Sequence, residues 1–256
     1  MNSESINSIK VDCLEHFFEK KRVLNNISFS FPVGSLIAVL GPSGCGKTTL
    51  LKCLSGLIYP SSGTVSLNGN TPRELRKTGK ISFAFQTPTL LPWRTVLENV
   101  LLPIEILRGH VSISDRDYAI ELLKNVELEK DTLLWPHELS GGMQQRVELA
   151  RSLVSQPEFL FLDEPFGALD GLTRDKLNES VRYLWEKKKI TIVFVTHSIP
   201  EAIYLADYIL VFSQRPARIV HTEKIEMGVN RPSTIRLSNL YWDYQKKLTS
   251  ITQDRL

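Results

Sequence analysis

"GPSGCGKTT", residues 41–49, stands between the apolar run "LIAVL" (36–40) and a stretch with helical spacing. It fits the phosphate-loop pattern G-x-x-x-x-G-K-[ST]. Gly41, Gly44 and Gly46 let backbone N–H groups wrap an anion, with Pro42, Ser43 and Cys45 completing the turn. The helix that follows adds the positive end of its dipole. Lys47 is expected to reach the β- and γ-phosphates of a nucleotide, and the Thr48 hydroxyl, next to Thr49, to take a place on Mg²⁺. A chance glycine turn matches these fixed positions in roughly one chain in a hundred, at a glycine frequency of ~7%. Placement between a strand and a helix lowers that figure further, so nucleotide binding is the expectation. Cys45, at a helix start and two residues from Lys47, is expected to have a thiol pKa below the free value of about 8.5.

Outward from this loop, four runs are almost continuously apolar: "LIAVL", "ISFAF" (81–85), "FLFL" (159–162) and "ITIVFVT" (190–196). Such runs suit parallel strands covered on both faces. Each is followed by a residue with chemistry to offer: Gly41, Gln86, Asp163 and His197. Ligands of open α/β sheets bind at the carboxyl ends of the strands, so one site can collect all four. "IKVDCL", "ISFSF" and "GTVSLNG" read instead as half-buried strands of an antiparallel layer, the last closing on an Asn-Gly turn. Residues 87–157 change to helical patterns. "TVLENVLLPIEIL" and "SDRDYAIELLKNV" are expected helices, the second with Ser114 and Asp117 as its capping pair. "LSGGMQQ" (139–145) then sets Ser140 as the N-cap of a helix whose apolar face is Met143, Val147, Ala150 and Val154. With Gly141 and Gly142 it is a second anion site. After Asp207, "YILVF" and "RIVHTEKI" flank a turn at Arg215 and Pro216. A last helix over about 234–252 carries Leu237, Tyr241, Tyr244, Leu248 and Ile251 on one face. The expected fold is α/β: one domain over 1–256 with a P-loop NTPase core, a mainly parallel sheet, an N-terminal antiparallel β layer and a helical insertion.

Composition adds exclusions. The chain has 256 residues and a net charge of +3, spread out, which makes no case for nucleic acid. The basic run 187–189 follows the helical "TRDKLNESVRYLWE" and reads as a solvated helix end. Three cysteines (Cys13, Cys45, Cys53) have no metal-ligand spacing and suit a reducing compartment. "MNSESINSIKVD" has no apolar core of a signal peptide. The uncharged stretch 25–46 is broken by Ser, Gly, Pro and Asn, so no segment is expected to span a membrane.

Four side chains carry the expected chemistry. Asp163 fits the acidic residue that holds Mg²⁺ in P-loop enzymes, and its neighbour Glu164 is placed to polarise an attacking water. Glu164 read alone could be a helix-start carboxylate. His197 could be an ordinary satisfied histidine; at the end of a central strand it reads better as a γ-phosphate ligand. Gln86 could be a loop amide, or a ligand of Mg²⁺ or the water.

Together these motifs resemble the ATP-binding cassette (ABC) family over nearly the whole chain. Walker A is "GPSGCGKTT", the Q-loop is at Gln86, the signature is "LSGGMQQR", Walker B is "FLFLDEP", the D-loop is "GALD" ending at Asp170, and the switch histidine is His197. The resemblance implies that Ser140, Gly141 and Gly142 bind the γ-phosphate of ATP held by a partner subunit. Two chains would pair head-to-tail around two ATP. It also implies Phe18 as the adenine-stacking aromatic, where tyrosine is common. Glu148 and Gly171 stand where small residues and alanine are usual. "TLLPWRTVLENV", "FGALDGLTR", "VTHSIPEAIYLAD" and "RPARIV" are similar to the nitrate/sulfonate/taurine import branch. The implied protein is the ATPase subunit of a bacterial importer, peripheral on the cytoplasmic face of the membrane. It would work with permease subunits that dock on 87–95 and, indirectly, with an extracytoplasmic solute-binding protein. The solute is not written in this chain. A soluble single-cassette ABC ATPase acting as a nucleotide-gated assembly factor is the alternative.

Overall fold

Alternation of apolar and polar residues makes the N-terminal strands two-faced. In the computed structural model, which describes residues 7–167 and 170–255, β1 (Ser8–Phe18) pairs antiparallel with β2 (Lys21–Pro32) and with β4 (Ser62–Leu67), giving the order β2-β1-β4. The expected Asn-Gly turn follows β4: Asn68 and Gly69 both have positive φ, and Leu67 and Asn70 exchange backbone bonds of 2.9 and 3.0 Å. Residues 1–6 of the polar N-terminus and Ala168 and Leu169 of "GALD" lie outside the described residues.

The continuous apolar runs form the second sheet. Its strands are β3 (Leu36–Leu40), β5 (Ile81–Ala84), β6 (Phe159–Asp163), β7 (Thr191–Thr196), β8 (Tyr208–Phe212) and β9 (Ile219–Lys224), in the order β5-β6-β7-β3-β8-β9. All neighbours are parallel except β8 and β9. Because strand side chains alternate between faces, this sheet divides the core in two. Leu36, Ala38, Leu40, Leu160, Leu162, Ile192 and Phe194 pack with the helices on one side. Ile37, Val39, Phe159, Phe161, Val193 and Val195 pack on the other with the antiparallel layer and with α1 (Lys47–Leu54). The phosphate loop thus leaves the middle of the sheet and enters a helix held between two β layers.

The helical stretch after Gln86 contains α3 (Val96–Arg108), α4 (Ile113–Asn125) and α5 (Gly141–Leu153). α3 opens with a reciprocal cap between Thr95 and Glu98. α4 opens with Ser112 and Asp115, not with Ser114 and Asp117 as the sequence suggested. Ser112 has the extended backbone an N-cap needs, and its Oγ accepts from the Asp115 N–H at 3.1 Å. Ser114 already lies in the first turn. α5 follows expectation, with Val147, Ala150 and Val154 buried and Met143 packed against the same core.

α2 (Pro72–Lys77), α6 (Gly171–Lys188), α7 (Ile199–Leu205) and α8 (Asn239–Arg255) complete the described helices. The last starts later than the periodicity indicated. Residues 233–237 form a 3-10 turn, Ser238 is extended, and Leu237 projects into solvent while Tyr241 and Leu248 are buried. The basic run is not merely solvated either: the Lys189 ammonium lies 4.0 Å from the Trp185 ring centre and that of Lys187 4.4 Å from Tyr183. No described helix is long and apolar enough to cross a membrane.

Candidate nucleotide site

Gly46, the last residue before α1, has φ +130°, and a Cβ there would lie 3.0 Å from Val23 Cγ1 on β2. Only glycine suits both the conformation and the approach. The loop closes around its own lysine. Buried Lys47 Nζ donates to the carbonyls of Gly41 (2.8 Å) and Pro42 (3.0 Å) and stands 3.7 Å from Glu164 Oε1. Ser43 and Gly44 form an exposed rim, and Thr48 and Thr49 are half-buried on the first turn.

Thr48 Oγ1 donates to Asp163 Oδ1 at 2.9 Å, which joins the start of α1 to the end of β6. Burial pushes the Asp163 carboxyl above its ordinary range, against the Thr48 hydrogen bond; the neighbouring Glu164 charge adds to the rise. A half-buried hydroxyl and a buried carboxylate beside a phosphate loop are the oxygen donors that Mg²⁺ takes. The residues present therefore fit such an ion.

Glu164 is where the strand ends meet. Its backbone N–H donates to Val195 O at 3.2 Å, tying it to β7, and its φ is +44°. The carboxylate then accepts from Gln86 Nε2 at 3.3 Å, faces His197 Nδ1 at 3.4 Å and faces Lys47 on its other oxygen. One carboxylate therefore joins the ends of β5, β6 and β7 to the phosphate loop. Gln86 meets Glu164 in this arrangement, and His197 is more than half exposed beside it.

The other expected residues lie apart. Ser140 caps α5 by accepting from Met143 N–H at 3.2 Å, and Ser140 and Gly141 are exposed. Among the described residues, no hydrogen bond or ion pair joins Ser140, Gly141 or Gly142 to Lys47, Thr48 or Glu164. Asp170 caps α6 by accepting from Thr173 N–H at 3.1 Å. Phe18 ends β1 with its ring half exposed, edge-on to His16 at 4.7 Å. Cys45 reverses expectation. Its thiol is buried, and burial pushes its pKa up despite the nearby Lys47 charge.

Sequence reasoning missed a joint behind the site, built on buried Glu148 and exposed Thr89. Glu148 Oε2 accepts from Thr89 N–H at 3.2 Å and pairs with Arg151. Arg151 in turn donates to Thr89 O (2.9 Å) and Oγ1 (2.7 Å). Gln145 Nε2 adds a 3.4 Å bond to Gln86 O. The i,i+3 spacing of Glu148 and Arg151 was the available signal, but their shared partner lies 59 to 62 residues away.

Comparison with known proteins agrees with this geometry. The family model described as ABC transporter matches residues 24–167. The chain is 41% identical to the aliphatic sulfonates import ATP-binding protein SsuB of Bacillus cereus, covering 94% of each chain. It is 40% identical to the taurine import ATP-binding protein TauB of Rhizobium johnstonii (83% of this chain, 82% of that one). It is 38% identical to the nitrate import ATP-binding protein NrtD of Synechococcus elongatus (86% and 81%). A dimeric ATP-binding cassette solved in a post-hydrolysis state with ADP and Pi superposes with a TM-score of 0.77 at 33% identity, covering 86% of this chain and all of that one. The family match over 24–167, the relatives at about 40% identity and the shared fold agree, and the chain belongs to the ABC transporter ATP-binding family.

Proposed function

We propose that this ABC ATPase drives a bacterial importer of a small anionic or zwitterionic solute, of the sulfonate, taurine or nitrate kind, through a separate permease. The whole chain acts as one cassette, with residues 87–157 as its helical subdomain. The observation that carries the reading is the division of the two anion sites. Lys47, Gln86, Glu164 and His197 converge on one point, while the capped end of α5 reaches none of them. A second anion site that does not serve its own chain's loop suits a partner's nucleotide, so two copies pair head-to-tail with Ser140, Gly141 and Gly142 of each over the other's phosphate loop.

At each composite site Lys47 offsets charge on the β- and γ-phosphates, and the N–H groups of residues 41–49 cradle them. Thr48, Asp163 and Gln86 are the residues that would hold Mg²⁺, which would supply positive charge against the phosphates. Glu164 accepts a proton from water as the water oxygen bonds to the γ-phosphorus. The bond from that phosphorus to the β–γ bridging oxygen then breaks and ADP leaves. His197 steadies Glu164 and the γ-phosphate, Phe18 stacks on the adenine, and Asp170 lines the seam between the chains.

Trp93, Ile106, Ile113 and Leu133 are 67%, 75%, 80% and 78% exposed. Trp93 falls within 87–95, which supports docking of a permease segment there and peripheral attachment at the cytoplasmic membrane face. Affinity purification of the tagged chain from detergent-solubilised membranes of its own cells tests this reading. Integral membrane subunits, encoded with a solute-binding protein, are expected to co-purify. A chain wholly in the soluble fraction with only soluble partners would overturn the importer reading in favour of an assembly factor.

A further inference from the structure

The turn between β8 and β9 reaches the phosphate loop. Ser213 shapes it, donating its N–H to Arg218 O at 3.0 Å and accepting from Arg218 N–H on its Oγ at 3.0 Å. Ala217 then bonds β2 twice, donating to Val23 O at 2.8 Å and accepting from Asn25 N–H at 3.0 Å. Val23 is the residue that abuts Gly46. From this stapled turn, Arg215 Nη2 donates to Gly44 O at 2.7 Å.

The rim of the loop needs such a hold. Ser43 and Gly44 are exposed, Gly44 has φ +73°, and a Cβ on it would meet nothing within 4 Å. Cys45 is buried, so packing anchors that side of the Gly44–Cys45 peptide, but nothing packs on Gly44 to hold its carbonyl. In a trans peptide the C=O and N–H point in opposite directions. With the Gly44 carbonyl drawn out to Arg215, the Cys45 N–H is turned inward, where it makes only a 3.3 Å bond to Pro42 O.

We propose that Arg215 is a positioning residue for the phosphate loop, holding the Gly44–Cys45 peptide so that its N–H faces bound phosphate and so setting nucleotide affinity. The proposal rests on the nucleotide-site reading above. The loop backbone cradles the phosphates that ATP and ADP share, so the loss of Arg215 weakens both alike and spares the chemical step.

The test uses the full chain with Arg215→Ala, Arg215→Gln and Arg215→Lys, comparing KM and kcat for Mg-ATP and the affinities of fluorescent ATP and ADP analogues. Arg215→Ala is expected to raise KM and weaken both nucleotides about tenfold with kcat within twofold. Arg215→Lys and Arg215→Gln, which keep a donor, should recover part of the loss. Unchanged affinity in Arg215→Ala, a fall in kcat at constant KM, or a loss confined to ATP overturns the proposal. If Arg215→Ala melts well below wild type, the Gln and Lys variants decide: equal wild-type affinity in both overturns it. Failure of the wild-type chain to bind either analogue refutes the nucleotide site itself, a different outcome.

Discussion

Glu164→Gln separates what the carboxylate does for chemistry from what it does to the resting site. In the described arrangement its two oxygens face Lys47 at 3.7 Å, Gln86 at 3.3 Å and His197 at 3.4 Å. The Lys47–Glu164 attraction alone is about 4.5 kcal/mol at that distance and an effective dielectric near 20, before desolvation. Lys47 also holds two backbone carbonyls, and both partners have given up water, so the net restraint on the lysine is about 1–2 kcal/mol. Incoming phosphate competes with that restraint. The amide keeps the side-chain shape but removes the charge, which frees Lys47 and should tighten ATP binding about tenfold. It also lacks the basic oxygen, so hydrolysis should fall about 10²–10⁴-fold, the usual worth of a general base. Binding is read by equilibrium titration before turnover, chemistry by single-turnover hydrolysis, and pairing by sedimentation with Mg-ATP. Turnover within threefold of wild type would refute Glu164 as the base. Weaker ATP binding would refute the competition between Glu164 and phosphate for Lys47.

The pairing geometry has its own test. Lys47→Ala and Ser140→Arg each leave a homodimer with two defective sites, whereas a mixed pair rebuilds one whole site; ATP-dependent energy transfer between labelled chains should return on mixing, and its absence with both variants folded would rule out head-to-tail pairing. Cys45, buried with a raised thiol pKa, should alkylate slowly at neutral pH, faster as pH rises, and more slowly still with Mg-ATP. Rapid labelling at pH 7 would place the thiol in the open. Glu223 meets Lys247 at 2.6 Å and His221 at 2.7 Å, which docks α8 on β9. Burial raises its carboxyl pKa, but these two partners outweigh that and hold it below the ordinary range. Its contribution is thus present above the unfolded pKa and lost as pH falls through the lower, folded one. Glu223→Gln should cost about 1 kcal/mol near pH 7 and flatten the acid limb of a stability–pH profile measured by urea unfolding.

The parallel strands were legible because burial on both faces leaves a continuous apolar run, and the site because each run stops at a polar residue. Asp163, Glu164 and His197 could be assigned to one place before any coordinate. What failed to show was decided by backbone detail or by distant partners. Ser112 and Ser114 both suit a helix start, and only the extended φ/ψ of Ser112 chooses between them. The sequence around Cys45 displays Lys47 and a helix dipole but not the depth of the thiol, and depth wins. Glu148 read as an oddity because Thr89 is far off in the chain. Leu237 kept the helical period while the extended Ser238 broke the helix.

The Glu148–Arg151–Thr89 joint has a mechanical consequence. α5, 13 residues long, is a rod of about 20 Å. Its middle and C-terminal half are tied to the loop that starts at Gln86 by Gln145, Glu148 and Arg151. Its N-terminal tip carries Ser140. Such ties couple the loop to the helix, so a shift of the loop moves the rod, and a load on the tip acts back on the loop. The traffic runs both ways through one lever. In the head-to-tail pair proposed above, that tip serves the neighbour's phosphate loop, so the lever's output is delivered across the seam and each copy handles the other's lever.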